Sequence, residues 1–196
     1  ASHTSPQGTL GLVRRARLLK PSGMQVILPD WLPVGVDEAI TFLRRVAQEA
    51  EGIPLILYNP PHAKPLLNSS ELLKVITVVP EVVGIKVLGG DAAWYAEMKL
   101  VLEKISVFVA GHRMASGCQQ GARGCYSNVA CLSPVGAQRW YEQIWTDPEG
   151  ALALEAKLVN FWMTQAGRLK EERGVSGTAI DKMMATFALA LPIRRR

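Results

Sequence analysis

Tyr58 ends the apolar run IPLILY, and Lys86 sits 28 residues later inside EVVGIKVLGGD. A lysine kept away from water is costly as a cation, because burial disfavours its charged form. The neutral amine that burial favours is the nucleophile that Schiff-base chemistry with a carbonyl requires. A tyrosine beside such an amine can carry protons to and from the adduct. The residue types therefore point to imine formation, provided the fold brings the two together.

Alternation along a strand supplies the first test. Lys86 shares a face with Val82, Gly84 and Leu88, while Val83, Ile85 and Val87 take the other. If the β-branched set packs on outer helices, Lys86 points inward, and Gly84 leaves room there for a substrate. In IPLILY the same parity groups Pro54, Ile56 and Tyr58, and the double proline Pro60-Pro61 fixes the turn that aims the tyrosine.

The elements that must position them alternate along the chain. Apolar runs at 24–28, 53–58, 82–88, 107–110 and 125–131 read as strands. Helical spacing predicts helices at 10–19, 36–51, 70–78, 92–104, 114–120 and 135–145, with Asn68 or Ser69 capping the third and Asp91 the fourth. Beyond Asp147 the pattern is purely helical, over 149–172 and, after a break at Gly174 and Gly177, over 179–191. Strands separated by helices imply an α/β fold with a parallel sheet. One helix joins the strands of Tyr58 and Lys86, so a right-handed crossover makes them parallel neighbours, ~4.8 Å apart. Both residues then project at the carboxyl-terminal mouth of the sheet, where α/β barrels keep their active sites. Taken singly, each has a plainer reading. A strand-end tyrosine packs with its hydroxyl at the surface, and a lysine in an apolar strand snorkels or pairs with an acid. The two residues alone leave both readings open.

Composition narrows the classes. The 196 residues are 48% hydrophobic with charges of both signs, an ordinary globular composition. The net charge is +5, and the terminal Arg194-Arg195-Arg196 reads as a solvated end. No basic stripe interleaves with aromatics, so no nucleic-acid partner is expected. No run approaches the ~20 apolar residues of a membrane span, and a cytoplasmic protein is expected. Cys118, Cys125 and Cys131 form no CxxC pair, and the histidines form no HExxH pair, so no metal site is expected. No glycine-rich phosphate cradle lies beside Lys86 to suggest pyridoxal phosphate.

The ordered set YNPP at 58–61 and GIKVLGGD at 84–91 resembles the dihydrodipicolinate synthase and N-acetylneuraminate lyase family. Further along, VFVAG at 107–111, GCYSNVACLSP at 124–134 and AIDKMMATFA at 179–188 are similar to the family's later strands and its carboxyl-terminal helices. The resemblance implies a (β/α)8 TIM barrel. About five βα units are visible and the first strands are missing. Residues 1–146 would be a partial barrel, with 147–196 a helical extension of the same domain. By position, the resemblance makes Lys86 the Schiff-base lysine for pyruvate or another 2-oxo acid and Tyr58 the proton relay. Gly111 and the backbone of Tyr126 would line the site, and Ser127 matches a family serine. It implies a lyase, an aldolase or a dehydratase of sugar acids, that needs no metal or organic cofactor and forms a homo-oligomer, a dimer or tetramer.

Several positions depart from the synthase pattern. Ala63 stands where an arginine is usual, Asp30 and Trp31 stand where paired tyrosines are usual, and His112 and Arg113 replace a pair of acids. These departures argue against lysine biosynthesis. His112 and Arg113 suit an acidic substrate instead, because charge-assisted hydrogen bonds favour carboxylates. His62 and Lys64 are further candidates for the same task. The alternative is a non-catalytic or incomplete homologue serving as an assembly subunit, suggested by the missing strands and the bulky Trp31 and Tyr126.

Overall fold

The computed structural model describes residues 1–30, 33–61 and 63–189, residues 187–189 by backbone alone. Helices and strands alternate in the order α1 (Pro6–Arg17), β1 (Met24–Ile27), α2 (Val36–Ala50), β2 (Leu55–Tyr58), α3 (Ser69–Val78), β3 (Val82–Lys86), α4 (Ala92–Lys104), β4 (Ser106–Ala110), α5 (Met114–Gln119), β5 (Gly124–Tyr126) and α6 (Pro134–Thr146). Then follow α7 (Pro148–Phe161), α8 (Gly167–Arg173) and α9 (Gly177–Leu189). The five strands form one parallel sheet in the order β1-β2-β3-β4-β5, the consecutive order of a (β/α)8 barrel. The chain divides into two compact units, residues 1–108 and 109–196, and β4 carries it from one into the other.

In the first unit the strands bury one side and half-bury the other. Met24, Val26, Leu55, Leu57, Ile85 and Val107 are buried, as are Val13, Leu43, Val75 and Val101 on α1 to α4. The opposite strand face carries Ile27, Ile56, Tyr58, Lys86 and Phe108, all half-buried. The helix starts follow local chemistry. Asn68 Oδ1 accepts the Glu71 amide at 3.0 Å while Glu71 Oε2 accepts the Asn68 amide at 2.9 Å, a reciprocal cap on α3. Asp91 caps α4 through the Trp94 amide at 3.0 Å.

Three expectations are revised. The first helix starts earlier, at Pro6, because Ser5 Oγ accepts the Gly8 amide and proline suits the first helical position; Leu18 and Leu19 lie beyond its end and are exposed. The alternation along β3 is broken by one residue. Leu55 pairs with Val82 and Ile56 with Gly84, so Val83 is an extra residue that bulges out at 45% exposure while Val82 is buried. The strand expected over 125–131 stops at Tyr126. Ser127 Oγ accepts the Ala130 amide at 3.1 Å and the Asn128 carbonyl accepts the Cys131 amide at 3.0 Å, so turn chemistry ends the strand and a 3-10 turn runs over Val129–Cys131.

The second unit has cores of its own. Met114, Ala115, Cys118, Val129, Trp140 and Ile144 make one, in which Trp140 Nε1 donates to the Ala151 carbonyl at 3.0 Å. Ala166, Ile180 and Met184 make another. Between α7 and α8 the backbone widens into a π-helical turn, Trp162–Ala166, where a single straight helix is expected from the sequence.

Candidate active site

The register builds a row of side chains across the first unit. Ile27 pairs with Tyr58, Tyr58 with Lys86, and Lys86 with Phe108; the first three each end their strand, and Phe108 stands in the middle of β4. The parity and crossover arguments thus bring Tyr58 and Lys86 side by side. Lys86 Nζ lies over the tyrosine ring, 4.7 Å from its centroid. The negative ring face attracts the ammonium and fixes where the amine rests. Lys86 is half-buried rather than sealed from water.

The space beside the lysine is not left open by Gly84. A β-carbon there would lie 3.1 Å from the Ser106 carbonyl and 3.6 Å from the Phe108 ring. The glycine lets the Ser106 carbonyl of β4 come close to β3, while the Phe108 ring stands at ordinary contact distance.

Asn59, passed over in the sequence except as part of YNPP, holds the mouth of the site together. It is 1% exposed. Its amide donates to the Lys86 carbonyl at 3.0 Å, its Nδ2 donates to the Pro65 carbonyl at 3.0 Å, and its Oδ1 accepts the Leu67 amide at 2.9 Å. The backbone amide of Asn59 therefore ties the end of β2 to β3, and its side chain ties that end to Pro65 and Leu67 of the loop that follows. An asparagine directly before two prolines was the available signal, since it must find partners in a turn that lacks amides.

The remaining candidates belong to the second unit. Gly111 is buried, opens a 3-10 turn over Gly111–Arg113, and permits a close approach: a β-carbon would lie 2.7 Å from Asn128 Oδ1 and from the Ser127 α-carbon. His112 stacks on Trp162, with ring centroids 5.4 Å apart and planes 9° apart. Arg113 is half-buried, and its carbonyl accepts Ser116 Oγ at 3.5 Å. Tyr126 is 40% exposed at the end of β5. The Ser127 hydroxyl is engaged as the cap of its own turn. Asn128 Oδ1 is buried and meets no hydrogen-bond partner among the described residues. Trp31, His62 and the arginine tail lie outside the described residues, and Lys64 and Asp30 are exposed. Among the described residues no three of His, Cys, Asp and Glu gather as a metal site, and no helix is long and apolar enough to cross a membrane.

A residue that sequence reasoning missed entirely anchors the turn after β4. Glu155 of α7 is 8% exposed, and its Oε2 accepts the amides of Ala115 at 2.8 Å and Ser116 at 3.1 Å. A carboxylate at the start of α5 satisfies amides that have no helical partner.

The family model of the dihydrodipicolinate synthetases matches residues 12–169, which includes the whole Tyr58–Lys86 row. The chain belongs to the dihydrodipicolinate synthetase family. It is 32% identical to a 4-hydroxy-tetrahydrodipicolinate synthase of Anaplasma marginale over 107 residues, 54% of this chain and 35% of that protein. The matched stretch spans about a third of the length of the curated relatives it matches. Among solved structures of this family's fold, a 2-keto 3-deoxygluconate aldolase from Picrophilus torridus superposes with a TM-score of 0.80 at 15% identity, covering 97% of this chain and 67% of that one. A prophage protein of the dihydrodipicolinic acid synthase family from E. coli K12, solved in complex with pyruvate, gives 0.75 at 18% identity, covering 96% and 62%. The (β/α)8 fold expected from the resemblance is shared with these proteins.

Proposed function

We propose that the protein is a Schiff-base lyase acting on pyruvate or another 2-oxo acid, an aldolase or a dehydratase of sugar acids. The observation that carries this reading is the Lys86 amine resting 4.7 Å over the Tyr58 ring, in register on adjacent strands, in a member of this family. Lys86 attacks the keto carbon, and the carbinolamine loses water to give a protonated imine. That cation draws electrons from the neighbouring carbon, so a carbon–carbon bond there breaks to an enamine or forms from one, and an enamine made by proton loss can expel a hydroxyl from the next carbon as water, leaving a conjugated imine. Tyr58 passes protons between the adduct and the leaving or entering oxygen. Phe108, the register partner of Lys86 on β4, gives the imine an apolar neighbour.

Gly111, Tyr126, Ser127, His112 and Arg113 are read as substrate contacts from the family resemblance of their positions. His112 and Arg113 favour an acidic second substrate. Placement in the cytoplasm and assembly into a dimer or tetramer belong to the same reading.

Borohydride reduction in the presence of pyruvate tests it, read by intact mass and peptide mapping. A reduced adduct on Lys86 is expected. No adduct with pyruvate or longer 2-oxo acids, from a protein shown to be folded and spanning its relatives' full length, would favour the assembly subunit without chemistry.

A further inference from the structure

The loops that follow β2 and β3, together with α3 and α4, line a half-open cavity of about 340 Å³ beside the Tyr58–Lys86 row, lined by neither of those residues. Its walls are mostly apolar, with Leu66, Leu72, Val87, Leu88 and Met98 among them, and Asn68 and Ser69 add polar groups at the start of α3. Leu66 and Leu88 are 56% and 40% exposed, so apolar surface is left facing solvent at its rim. Two residues of α4 give it a different character on one side. Trp94 and Glu97 both line it, and at a spacing of three they share a helix face. Asp91 fixes the first turn of α4 through the Trp94 amide, and the indole folds back over Gly90, where any side chain would collide with it. The polar groups of Asn59 are spent on Pro65 and Leu67, so the carboxylate of Glu97 is the charge offered to a guest by the described lining.

An indole and a carboxylate lining one side of a cavity attract a cation twice over, through the ring quadrupole and through charge. Apolar walls around the pair select a cation that carries hydrocarbon. The volume lies at the small end of ligand pockets, which run from about 300 to 1,000 Å³, and so limits the hydrocarbon to a short chain. We propose that this cavity binds a short primary alkylammonium ion, its head on Trp94 and Glu97 and its chain among Leu66, Leu72 and Met98. The cavity also touches the machinery of the row. Val87 follows Lys86 and donates its amide to the Phe108 carbonyl at 2.9 Å, and Asn59 follows Tyr58 and donates its amide to the Lys86 carbonyl at 3.0 Å. A guest against Val87 and Asn59 therefore presses on the backbone of both row residues, which makes the cavity a place from which an amine can tune the row.

Binding is measured on the full chain by amide and indole NMR shifts while 3-methylbutylamine hydrochloride is titrated at constant ionic strength. Saturable shifts are expected at the Trp94 indole, Asn59 and Val87. The neutral isostere 3-methylbutanol should bind at least fivefold more weakly. Glu97→Gln, an exposed helix position that leaves the fold intact by circular dichroism, should weaken the amine at least tenfold and leave the alcohol unchanged. Trp94→Leu should weaken the amine as well. Equal affinity for amine and alcohol would overturn the proposal, as would unchanged affinity in Glu97→Gln or shifts confined to other surfaces. Shifts at these residues that follow protein dilution without any amine would also overturn it, because the cavity would then be filled by a second copy of the chain. None of these outcomes depends on imine chemistry, so failure of borohydride trapping and failure of amine binding are separate results.

Discussion

Tyr58 and Lys86 are register partners on neighbouring parallel strands, and the amine of one rests over the ring of the other at 4.7 Å. The proposed chemistry gives the ring and the hydroxyl of the tyrosine separable tasks, one holding the amine and one moving protons. Tyr58→Phe keeps the ring, so pyruvate-dependent trapping of Lys86 should persist, while turnover on an accepted substrate falls by about 10²–10⁴-fold. Tyr58→Leu should lose both. Lys86→Arg should give no adduct, since a guanidinium is not a nucleophile at neutral pH. Peptide mapping after borohydride reduction reads all three, and an adduct on another lysine in the Lys86→Arg protein would end the assignment.

Asn59 is the residue on which the mouth of this row hangs. Asn59→Ala leaves the Pro65 carbonyl and the Leu67 amide without their partner, and each such buried group costs about 1–3 kcal/mol. A lower urea midpoint with an unchanged slope is expected, together with faster proteolysis in the 60–67 loop. Asn59→Asp keeps the acceptor for Leu67 but sets a buried carboxylate against the Pro65 carbonyl, so it should be at least as unstable as the alanine variant. An alanine variant as stable as the wild type would show that water replaces both bonds.

The sequence made the Tyr58–Lys86 pair legible because alternation and the right-handed crossover are local rules, and nothing interrupts them between Gly84 and Lys86. It did not show the bulge at Val83, since an extra residue is defined only by the strand opposite, here by Leu55 and Ile56. The sequence presents Gly84 as space for a ligand because the neighbour that closes on it, the Ser106 carbonyl, lies on another strand. Glu155 was invisible for the same reason on a longer scale: its partners are the amides of Ala115 and Ser116, and no local pattern marks a glutamate as the cap of a helix 40 residues earlier. The helix caps at Asn68 and Asp91, by contrast, lie within three residues of the amides they serve and were legible.

Gly84 gives the packing of the row its own test. Gly84→Ala places a methyl 3.1 Å from the Ser106 carbonyl, and a strand carbonyl cannot move aside as a flexible side chain can. Overpacking of this kind costs about 1–3 kcal/mol. The variant should unfold at a lower temperature, and the strain between β3 and β4 should show as shifted amide NMR signals at Ser106 and Val107. If the variant were stable and trapped pyruvate faster, Gly84 would be limiting access to Lys86 rather than strand approach.

Glu155 separates charge from hydrogen bonding at the start of α5. Glu155→Ala removes the acceptor of two amides, and hydrogen bonds to a charged group contribute about 1.5–3 kcal/mol. Glu155→Gln keeps an acceptor oxygen and loses the charge, so roughly half of that loss is expected. Urea unfolding of both variants orders them. Equal destabilisation by glutamine and alanine would mean that the charge alone holds the turn after β4.

Cys118 links the second unit to alkaline pH. Burial pushes its thiol up to about 11, with the neighbouring Cys125 and Glu155 adding repulsion against a thiolate. At pH 8 roughly one molecule in a thousand then carries the thiolate, so iodoacetamide should leave Cys118 unmodified until the protein unfolds. The same shift fixes the sign of a stability change. The folded thiol holds its proton to higher pH than the unfolded thiol, whose ordinary value is 9.0. Between these values the folded state binds more protons, so stability falls as pH rises. The contribution is fully present below about pH 9 and is lost progressively towards pH 11. Cys118→Ala lacks the titrating group, so the difference in unfolding free energy between wild type and variant should be constant from pH 7 to 9 and shift against the wild type above it. A difference that stays flat to pH 11 would show that the thiol titrates alike in both states.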